Sequence, residues 1–188
     1  MKARTDTKEK IVELATDLIL AGGYPSLSYQ QISSQLGIKN AAIHYHYTSK
    51  EALGAEVLRR EIERFEDFVA AVDGKSHWGK LDAFMLNYRR YLEHENRICM
   101  IGSSASNYNE IPEQMQFIAA EYFKIVKNWF TDLLELGRSE KVFYFKGEAV
   151  NKASLISSAM AGGLLHARLN GNEHYDSVIT QIKLELQV

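Results

Sequence analysis

The chain has 188 residues, of which 46% are hydrophobic and 24% are charged, and its net charge is -2 at pH 7. This composition is typical of a globular protein with one sizeable core, and the charge excludes a uniformly basic nucleic-acid binder. No apolar run approaches the roughly 18 residues that a membrane span needs, and the polar N-terminus lacks a signal-peptide pattern. The single cysteine, Cys99, has no internal disulfide partner. These features predict a cytoplasmic protein without membrane association.

The first predicted element is an amphipathic helix. Apolar residues recur at helical spacing between Ile11 and Ile19. Asp6 followed by Glu9 is typical of a capping box and predicts where this helix begins. The Gly-Gly-Tyr-Pro sequence that finishes at Pro25 predicts its end.

Two short helices follow. Ser28 with Gln31 forms a second capping-box pattern, and the helix that it opens is predicted to end at Leu36, before Gly37. A third helix is predicted over about residues 40–45. Two short helices joined by a glycine turn are typical of a DNA-binding helix-turn-helix. A plain helical hairpin in an all-α core gives the same pattern, so the pattern alone leaves both interpretations open.

The remainder of the chain is predicted to be helical as well. Thr48 with Glu51 indicates the cap of a long fourth helix that ends near Gly74. Further helical segments are predicted at about 78–91, 98–106, 112–137, 148–169 and 175–186. Residues 142–145 have β propensity, but nothing in the chain offers a partner strand. The predicted fold class is therefore all-α.

The charge distribution favours the DNA-binding interpretation. No Asp or Glu occurs between Asp17 and Glu51, as a segment that docks on phosphate requires. Asn40 and His44 can hydrogen-bond to base edges, and the alanines between them are small enough for the helix to enter a major groove.

The runs Leu27–Ile38 and Ile43–Leu53 resemble the signature of the TetR/AcrR family of transcriptional regulators. The resemblance rests on the capped helix, the Gly-Ile turn, the His-Tyr-His-Tyr end of the recognition helix and the Ser-Lys-Glu-x-Leu entry to the fourth helix. It implies a helix-turn-helix DNA-binding domain at 1–50, with its motif at about 28–47. It also implies an α-helical ligand-binding and dimerisation domain at 51–188.

The resemblance assigns roles to individual residues. Those expected to face bases are Asn40, Ala41, Ala42 and His44, and those expected to contact phosphates are Ser28, Lys39, Tyr45, His46 and Lys50. The family usually has Ser or Thr as the helix cap where this chain has Lys39, so Asn40 is expected to cap instead. The family usually has Tyr where this chain has His44. Tyr47 is expected to pack between the first and fourth helices.

The resemblance also implies a regulatory domain and its partners. The expected partners are double-stranded operator DNA, a second copy of the chain, and an apolar or aromatic small-molecule inducer, with no cofactor. The expected pocket residues are Phe65, Met85, Tyr88, Cys99, Tyr108, Tyr122 and Trp129. The small residues Ala153, Ser157, Ala161 and Gly162 would let the last two long helices meet their counterparts in a dimer. They would equally permit packing within one subunit.

The other functional classes to consider are an enzyme, a DNA-bound scaffold and a thiol sensor. The sequence has no Gly-rich phosphate loop, nucleophile elbow or metal-spaced ligand set, which argues against an enzyme. His44 with His46 and His166 with His174 are predicted to be poor metal pairs. One alternative is a DNA-bound scaffold that recruits a protein without an inducer. Another is a sensor of oxidants or electrophiles through Cys99, with Arg168 as the cation that activates the thiol.

Overall fold

The computed structural model describes residues 2–93 and 97–187, with side chains from residue 7 onward. Over this part of the chain the secondary structure consists of nine α-helices and one 3-10 turn, Tyr24–Ser26, which confirms the predicted all-α class. The helices are α1 Lys2–Gly22, α2 Tyr29–Leu36, α3 Asn40–His46, α4 Lys50–Val72, α5 His77–Glu93, α6 Met100–Ser106, α7 Glu113–Ser139, α8 Ala149–Asn170 and α9 Asn172–Glu185.

The predicted caps of α1 and α4 are wrong. α1 begins at Lys2, before Asp6, because residues 2–5 contain no helix breaker; the Asp6 side chain lies outside the described residues. The cap of α4 is Ser49 rather than Thr48, since the Ser49 hydroxyl accepts a hydrogen bond from the Ala52 backbone N–H at 3.0 Å. Neighbouring hydroxyl residues make this one-residue shift easy to miss.

The described chain groups into two compact units. The first unit extends to Arg64 and includes Met100–Tyr122, and the second comprises Phe65–Cys99 and the chain from Phe123 onward. These units follow spatial contacts and differ from the division at residue 50 that the sequence predicted. That functional division into DNA-binding and regulatory domains stays a prediction.

The core of the first unit joins α1 to the two short helices. Ile11 and Ala15 of α1 and Ile32 and Ile43 of α2 and α3 are all 0% exposed. α6 is fastened to α1 by the Ser103 hydroxyl, which donates to the Ile19 carbonyl at 3.0 Å. The short helices are therefore held by burial of their apolar residues rather than by their own length.

The second unit is built on the α8–α9 hairpin and α5. Tyr175 of α9 is fully buried, and its hydroxyl donates to the Met85 carbonyl of α5 at 3.3 Å. At the surface, the Arg89 guanidinium makes two hydrogen bonds to the Asp176 carboxylate, at 2.7 and 3.0 Å, and this holds the pKa of Asp176 below its ordinary value. Within the described residues, no helix combines the length and hydrophobicity needed to cross a membrane.

Residues 142–145 form an irregular connection between α7 and α8 rather than a strand. Phe143 is 1% exposed and fills a space beside Gly137, where a Cβ would lie 2.3 Å from its ring. The Tyr144 backbone N–H donates to the Leu186 carbonyl at 2.9 Å. The β propensity of this segment is overridden because burial of Phe143 fixes the backbone.

Candidate nucleic-acid interface

The turn between α2 and α3 is set by local sequence. The Ser28 hydroxyl accepts a hydrogen bond from the Gln31 backbone N–H at 3.4 Å and caps α2, as predicted. Gly37 has φ 65° and ψ 29°, a left-handed conformation that glycine adopts readily, and the Ile38 N–H donates to the Ser33 carbonyl at 3.0 Å. These contacts end α2 and direct the chain into α3.

The residues predicted to face bases lie together on α3. Asn40, Ala41 and His44 are exposed, Ala42 is half-buried, and Ile43 between them is 0% exposed. Asn40, Ala41, Ala42 and His44 form the recognition face. One face of α3 is thus fixed in the core while small and hydrogen-bonding side chains stand on the other.

The predicted cap at Asn40 is wrong. Lys39 occupies the N-cap position with extended backbone, φ -81° and ψ 148°, and no side chain in the described part of the chain caps α3. Asn40 is the first helical residue. Its amide is therefore not engaged as a cap, which suits the base-facing role predicted for it.

Tyr29, which sequence reasoning missed, supports both His44 and the end of α3. Its ring meets the His44 ring edge-on, with centroids 4.8 Å apart. Its hydroxyl donates to the Tyr47 carbonyl at 3.0 Å, and burial raises the pKa of Tyr29 to about 12. No local pattern links Tyr29 to a residue 15 positions later, so only the fold reveals this contact.

Lys50, a predicted phosphate contact, is held in place at the beginning of α4. Its ammonium donates to the Pro25 carbonyl at 3.1 Å and lies 4.6 Å from the centroid of the Tyr24 ring. Partial burial lowers the pKa of Lys50. Since an ammonium has three donor hydrogens, the bond to Pro25 leaves donors for a phosphate. Tyr24 is a second residue of this region that the sequence did not single out.

The other predicted phosphate contacts surround the recognition face. Lys39 and Tyr45 are exposed, and His46 and Ser28 are half-buried. The Tyr45 ring is 66% exposed and meets the His46 ring edge-on at 5.2 Å. All nine predicted DNA-contacting residues thus belong to the first unit, on α3, at the N-caps of α2 and α3, or at the first residue of α4.

Tyr47 is buried, as expected, with 6% exposure. Its ring lies below the Lys8 ammonium of α1, at 5.8 Å, and burial, followed by the Glu56 charge of α4, raises its pKa to about 12. Among the described residues, its hydroxyl has no hydrogen-bond partner. Tyr47 therefore contributes to the core of the first unit rather than to DNA contact.

Three of the predicted ligand-pocket residues are brought together within the second unit. Phe65, Tyr88 and Trp129 belong, with Phe68 and Phe84, to an aromatic cluster of the second unit. The Trp129 centroid lies 5.7 Å from Phe65 and 5.3 Å from Phe84, and Phe84 lies 4.9 Å from Tyr88. The rings pack on one another, so a ligand would have to separate them.

The remaining predicted pocket residues are divided between the two units. Met85 and Cys99 are 2% and 6% exposed in the second unit, where the Met85 carbonyl accepts a hydrogen bond from the Tyr175 hydroxyl and burial raises the pKa of Tyr175. Tyr108, which is 55% exposed, and Tyr122, which is buried, belong to the first unit. Arg168, the predicted activating cation, is exposed.

A cavity of about 420 Å³ opens in the second unit at the α7–α8 connection. Its lining residues are Arg138, Phe143, Tyr144, Phe145 and Lys146. None of the predicted pocket residues lines it. The Arg138 guanidinium there already donates to the Gly147 carbonyl and lies 4.7 Å from the centroid of the Phe145 ring.

Taken together, two short helices joined by a glycine turn, a buried anchor and an exposed polar face define a helix-turn-helix DNA-binding protein. The sequence model of the bacterial regulatory proteins of the tetR family matches residues 11–57, which span the second half of α1, α2, α3 and the beginning of α4. Residues 11–57 thus form a DNA-binding domain of the TetR family, and the chain is a DNA-binding transcriptional regulator.

Similar proteins extend the comparison over the whole chain. A TetR-family regulator from Legionella pneumophila is 29% identical, with a TM-score of 0.87 over 96% of this chain and 97% of that one. One from Agrobacterium tumefaciens is 24% identical, with a TM-score of 0.91 over 98% and 100%. The HTH-type transcriptional repressor NemR of Escherichia coli K12 is 19% identical over 187 residues, 95% of this chain and 92% of that protein.

Proposed function

We propose that the protein is a repressor that binds a palindromic operator as a homodimer and is released by an apolar or aromatic small molecule. The observation that carries the proposal is the recognition face on α3, where Asn40, Ala41 and His44 are exposed. The segment that contains it is free of Asp and Glu and includes Lys39 and Lys50. The name of the related NemR, a transcriptional repressor, supports repression rather than activation.

Operator binding is tested by footprinting. Two copies of α3 are expected to enter successive major grooves on one face of the duplex, with half-sites about 34–36 Å apart or at a multiple of this spacing. A pair of protected half-sites related by dyad symmetry supports the proposal. Uniform coverage of the DNA without preferred sites would contradict it.

The division between phosphate and base contacts is tested with two variants. Lys50→Ala should weaken binding to all sequences and reduce the slope of log affinity against log salt by about one. Asn40→Ala should instead relax the preference at particular base pairs, by roughly 1–3 kcal/mol. If both variants behave alike in salt titrations on specific and random DNA, the division of roles is wrong.

The proposed dimer uses the exposed apolar face of α8. Leu155, Leu165 and Leu169 are 60%, 49% and 85% exposed, and their spacing places them along one side of the helix. Of the small residues, Ala161 is exposed but Ala153 is fully buried within the chain. An apolar stripe of this kind on a helical hairpin favours packing against a second copy.

The proposed inducer separates the rings of the aromatic cluster and shifts α4, the helix that carries both Phe65 and Lys50. Trp129 reports on this event when Trp78, the other tryptophan, is replaced by Phe. An apolar aromatic ligand that releases operator should change Trp129 fluorescence. Operator must in turn weaken ligand binding by the same factor, because coupling between two sites is reciprocal.

The same release assay separates the alternatives. If Cys99→Ser abolishes release by N-ethylmaleimide or mild peroxide and no apolar ligand acts, the thiol-sensor alternative replaces the inducer. If neither the thiol reagents nor an apolar ligand release the operator, and only a protein partner alters operator occupancy, the scaffold alternative replaces the proposed inducer. Release of wild type and Cys99→Ser alike by an apolar ligand supports the proposal.

A further inference from the structure

Two histidines outside the nucleic-acid interface lie side by side in the second unit. His166 is on α8 and His174 is on α9, and their ring centroids are 5.6 Å apart with the ring planes inclined at 56°. In the single chain His166 is exposed and His174 is half-buried. The sequence prediction that they form a poor pair, made because a helix end separates them, does not anticipate this proximity.

The turn at Gly171 brings the two histidines together. Gly171 has φ 82° and ψ 167°, which lets the chain reverse between the end of α8 and the beginning of α9. Its N–H donates to the Ala167 carbonyl at 2.8 Å, and the His174 N–H donates to the Gly171 carbonyl at 3.2 Å. The backbone on both sides of the turn is therefore fixed.

Close packing of α8 on α9 limits how far the histidines can move apart. A Cβ at Gly163 would lie 3.2 Å from the Tyr175 ring and 3.5 Å from the Val178 side chain. Tyr175 is itself fully buried next to His174 in the chain. The pair thus stands on two helices whose separation is set by the core.

The spacing of the rings matches that of two imidazoles on one metal ion. A metal–nitrogen bond of about 2.0–2.1 Å places each ring centroid about 3.2 Å from the ion, and a tetrahedral angle then separates the centroids by about 5.2 Å. A slightly wider nitrogen–metal–nitrogen angle gives the observed distance of 5.6 Å between the ring centroids. To share the ion, each ring must turn one nitrogen towards a common point between the two rings.

We propose that His166 and His174 form a binding site for a divalent transition-metal ion such as Zn²⁺. Imidazole nitrogens suit Zn²⁺, Ni²⁺ and Cu²⁺, whereas Mg²⁺ prefers oxygen ligands. In the described part of the chain, no three or more His, Cys, Asp or Glu side chains group as metal ligands. Water or an added donor therefore completes the coordination, and the ion exchanges with solution. The site does not depend on the proposed repressor function.

Zinc titration of the untagged, metal-stripped full chain tests the site. Calorimetry should show one Zn²⁺ per chain, with no comparable binding of Mg²⁺. His166→Gln and His174→Gln should each weaken Zn²⁺ binding by more than about tenfold, since loss of even an outer-shell partner costs about 10–100-fold. The matched control His44→Gln/His46→Gln removes two histidines from α3 and should bind Zn²⁺ as wild type does.

A second readout follows from linking α8 to α9. Zn²⁺ should raise the melting temperature of wild type and of the α3 control, because it binds the native hairpin, and should not raise that of either single variant. Unchanged Zn²⁺ affinity in both single variants, or loss only in the α3 control, would overturn the proposal. One ion per two chains would also overturn it. Operator binding in EDTA is measured separately, so failure of the metal site leaves the repressor proposal standing.

Discussion

At the scale of single residues, the buried polar groups of the first unit carry the clearest consequences. Tyr29 and Tyr47 both belong to the first unit, but their hydroxyls differ in hydrogen bonding. The Tyr29 hydroxyl donates to a backbone carbonyl, whereas the buried Tyr47 hydroxyl has no partner among the described residues. Leaving a hydroxyl unsatisfied in the core is unfavourable, so these two positions respond differently to the same substitution.

Tyr47→Phe is expected to leave the free energy of unfolding unchanged or to raise it by up to about 1 kcal/mol, because it removes an unsatisfied buried hydroxyl. Tyr29→Phe removes an existing hydrogen bond and should lower the free energy of unfolding by about 1 kcal/mol. Urea unfolding of both variants measures the difference. Destabilisation by Tyr47→Phe equal to that by Tyr29→Phe would show that the Tyr47 hydroxyl is satisfied in solution.

Glu61 of α4 is 5% exposed, and burial raises its pKa above the ordinary 4.5. The neighbouring Arg64 acts to lower this pKa but does not outweigh burial. With a raised native pKa, the contribution of Glu61 to stability is greatest below about pH 4.5 and is lost as the pH rises through the native value. Glu61→Gln, which stays neutral, should therefore be more stable than wild type at about pH 7. The advantage should shrink towards about pH 4.

Chemical denaturation at both pH values measures this effect. Glu63→Gln on the same helix is the control, since Glu63 pairs with Arg60 at the surface and its side chain is 58% exposed. It should change stability by less than about 0.5 kcal/mol. A Glu61→Gln variant that is less stable than wild type at neutral pH would mean that its pairing with Arg64 outweighs burial.

At the scale of elements, the sequence predicted what local chemistry decides. α2 begins after Ser28 and ends before Gly37 as expected, because a cap and a left-handed turn involve only neighbouring residues. The contacts of Tyr29 with His44 and of Lys50 with Pro25 were not predictable, since they join residues 15 and 25 positions apart. The proximity of His166 and His174 depends likewise on how α8 packs on α9. Periodicity finds apolar faces but does not reveal which face meets which.

The cap of α4 provides a test at this scale. Ser49→Ala should lower the free energy of unfolding by about 1 kcal/mol, because it removes the side-chain acceptor for the Ala52 N–H. Thr48→Ala, one residue away, should change it by less than about 0.5 kcal/mol. Urea unfolding compares the two. A larger loss of stability in Thr48→Ala than in Ser49→Ala would support the capping box that the sequence predicted at Thr48.

At the scale of the whole molecule, the unpartnered apolar surface of α8 bears on how two copies assemble. Leu165 and Leu169 are largely exposed, whereas Leu164 beside them is 1% exposed and belongs to the core. The helix therefore buries one face within its own chain and leaves a second apolar face uncovered. The homodimer of the proposed function covers this second face, and operator recognition by two copies of α3 depends on it.

Leu165→Glu and Leu169→Glu are expected to convert the dimer to monomers, because each places a carboxylate in an apolar contact. Analytical ultracentrifugation measures the mass. Operator affinity should fall roughly 100-fold or more, since a monomer binds one half-site without the gain of simultaneous engagement. Leu86→Glu is the matched control, because Leu86 is 51% exposed and lies on α5 rather than on α8. The control should stay dimeric and bind operator normally. Dimers that persist in both α8 variants, with operator affinity retained, would place the interface elsewhere on the chain.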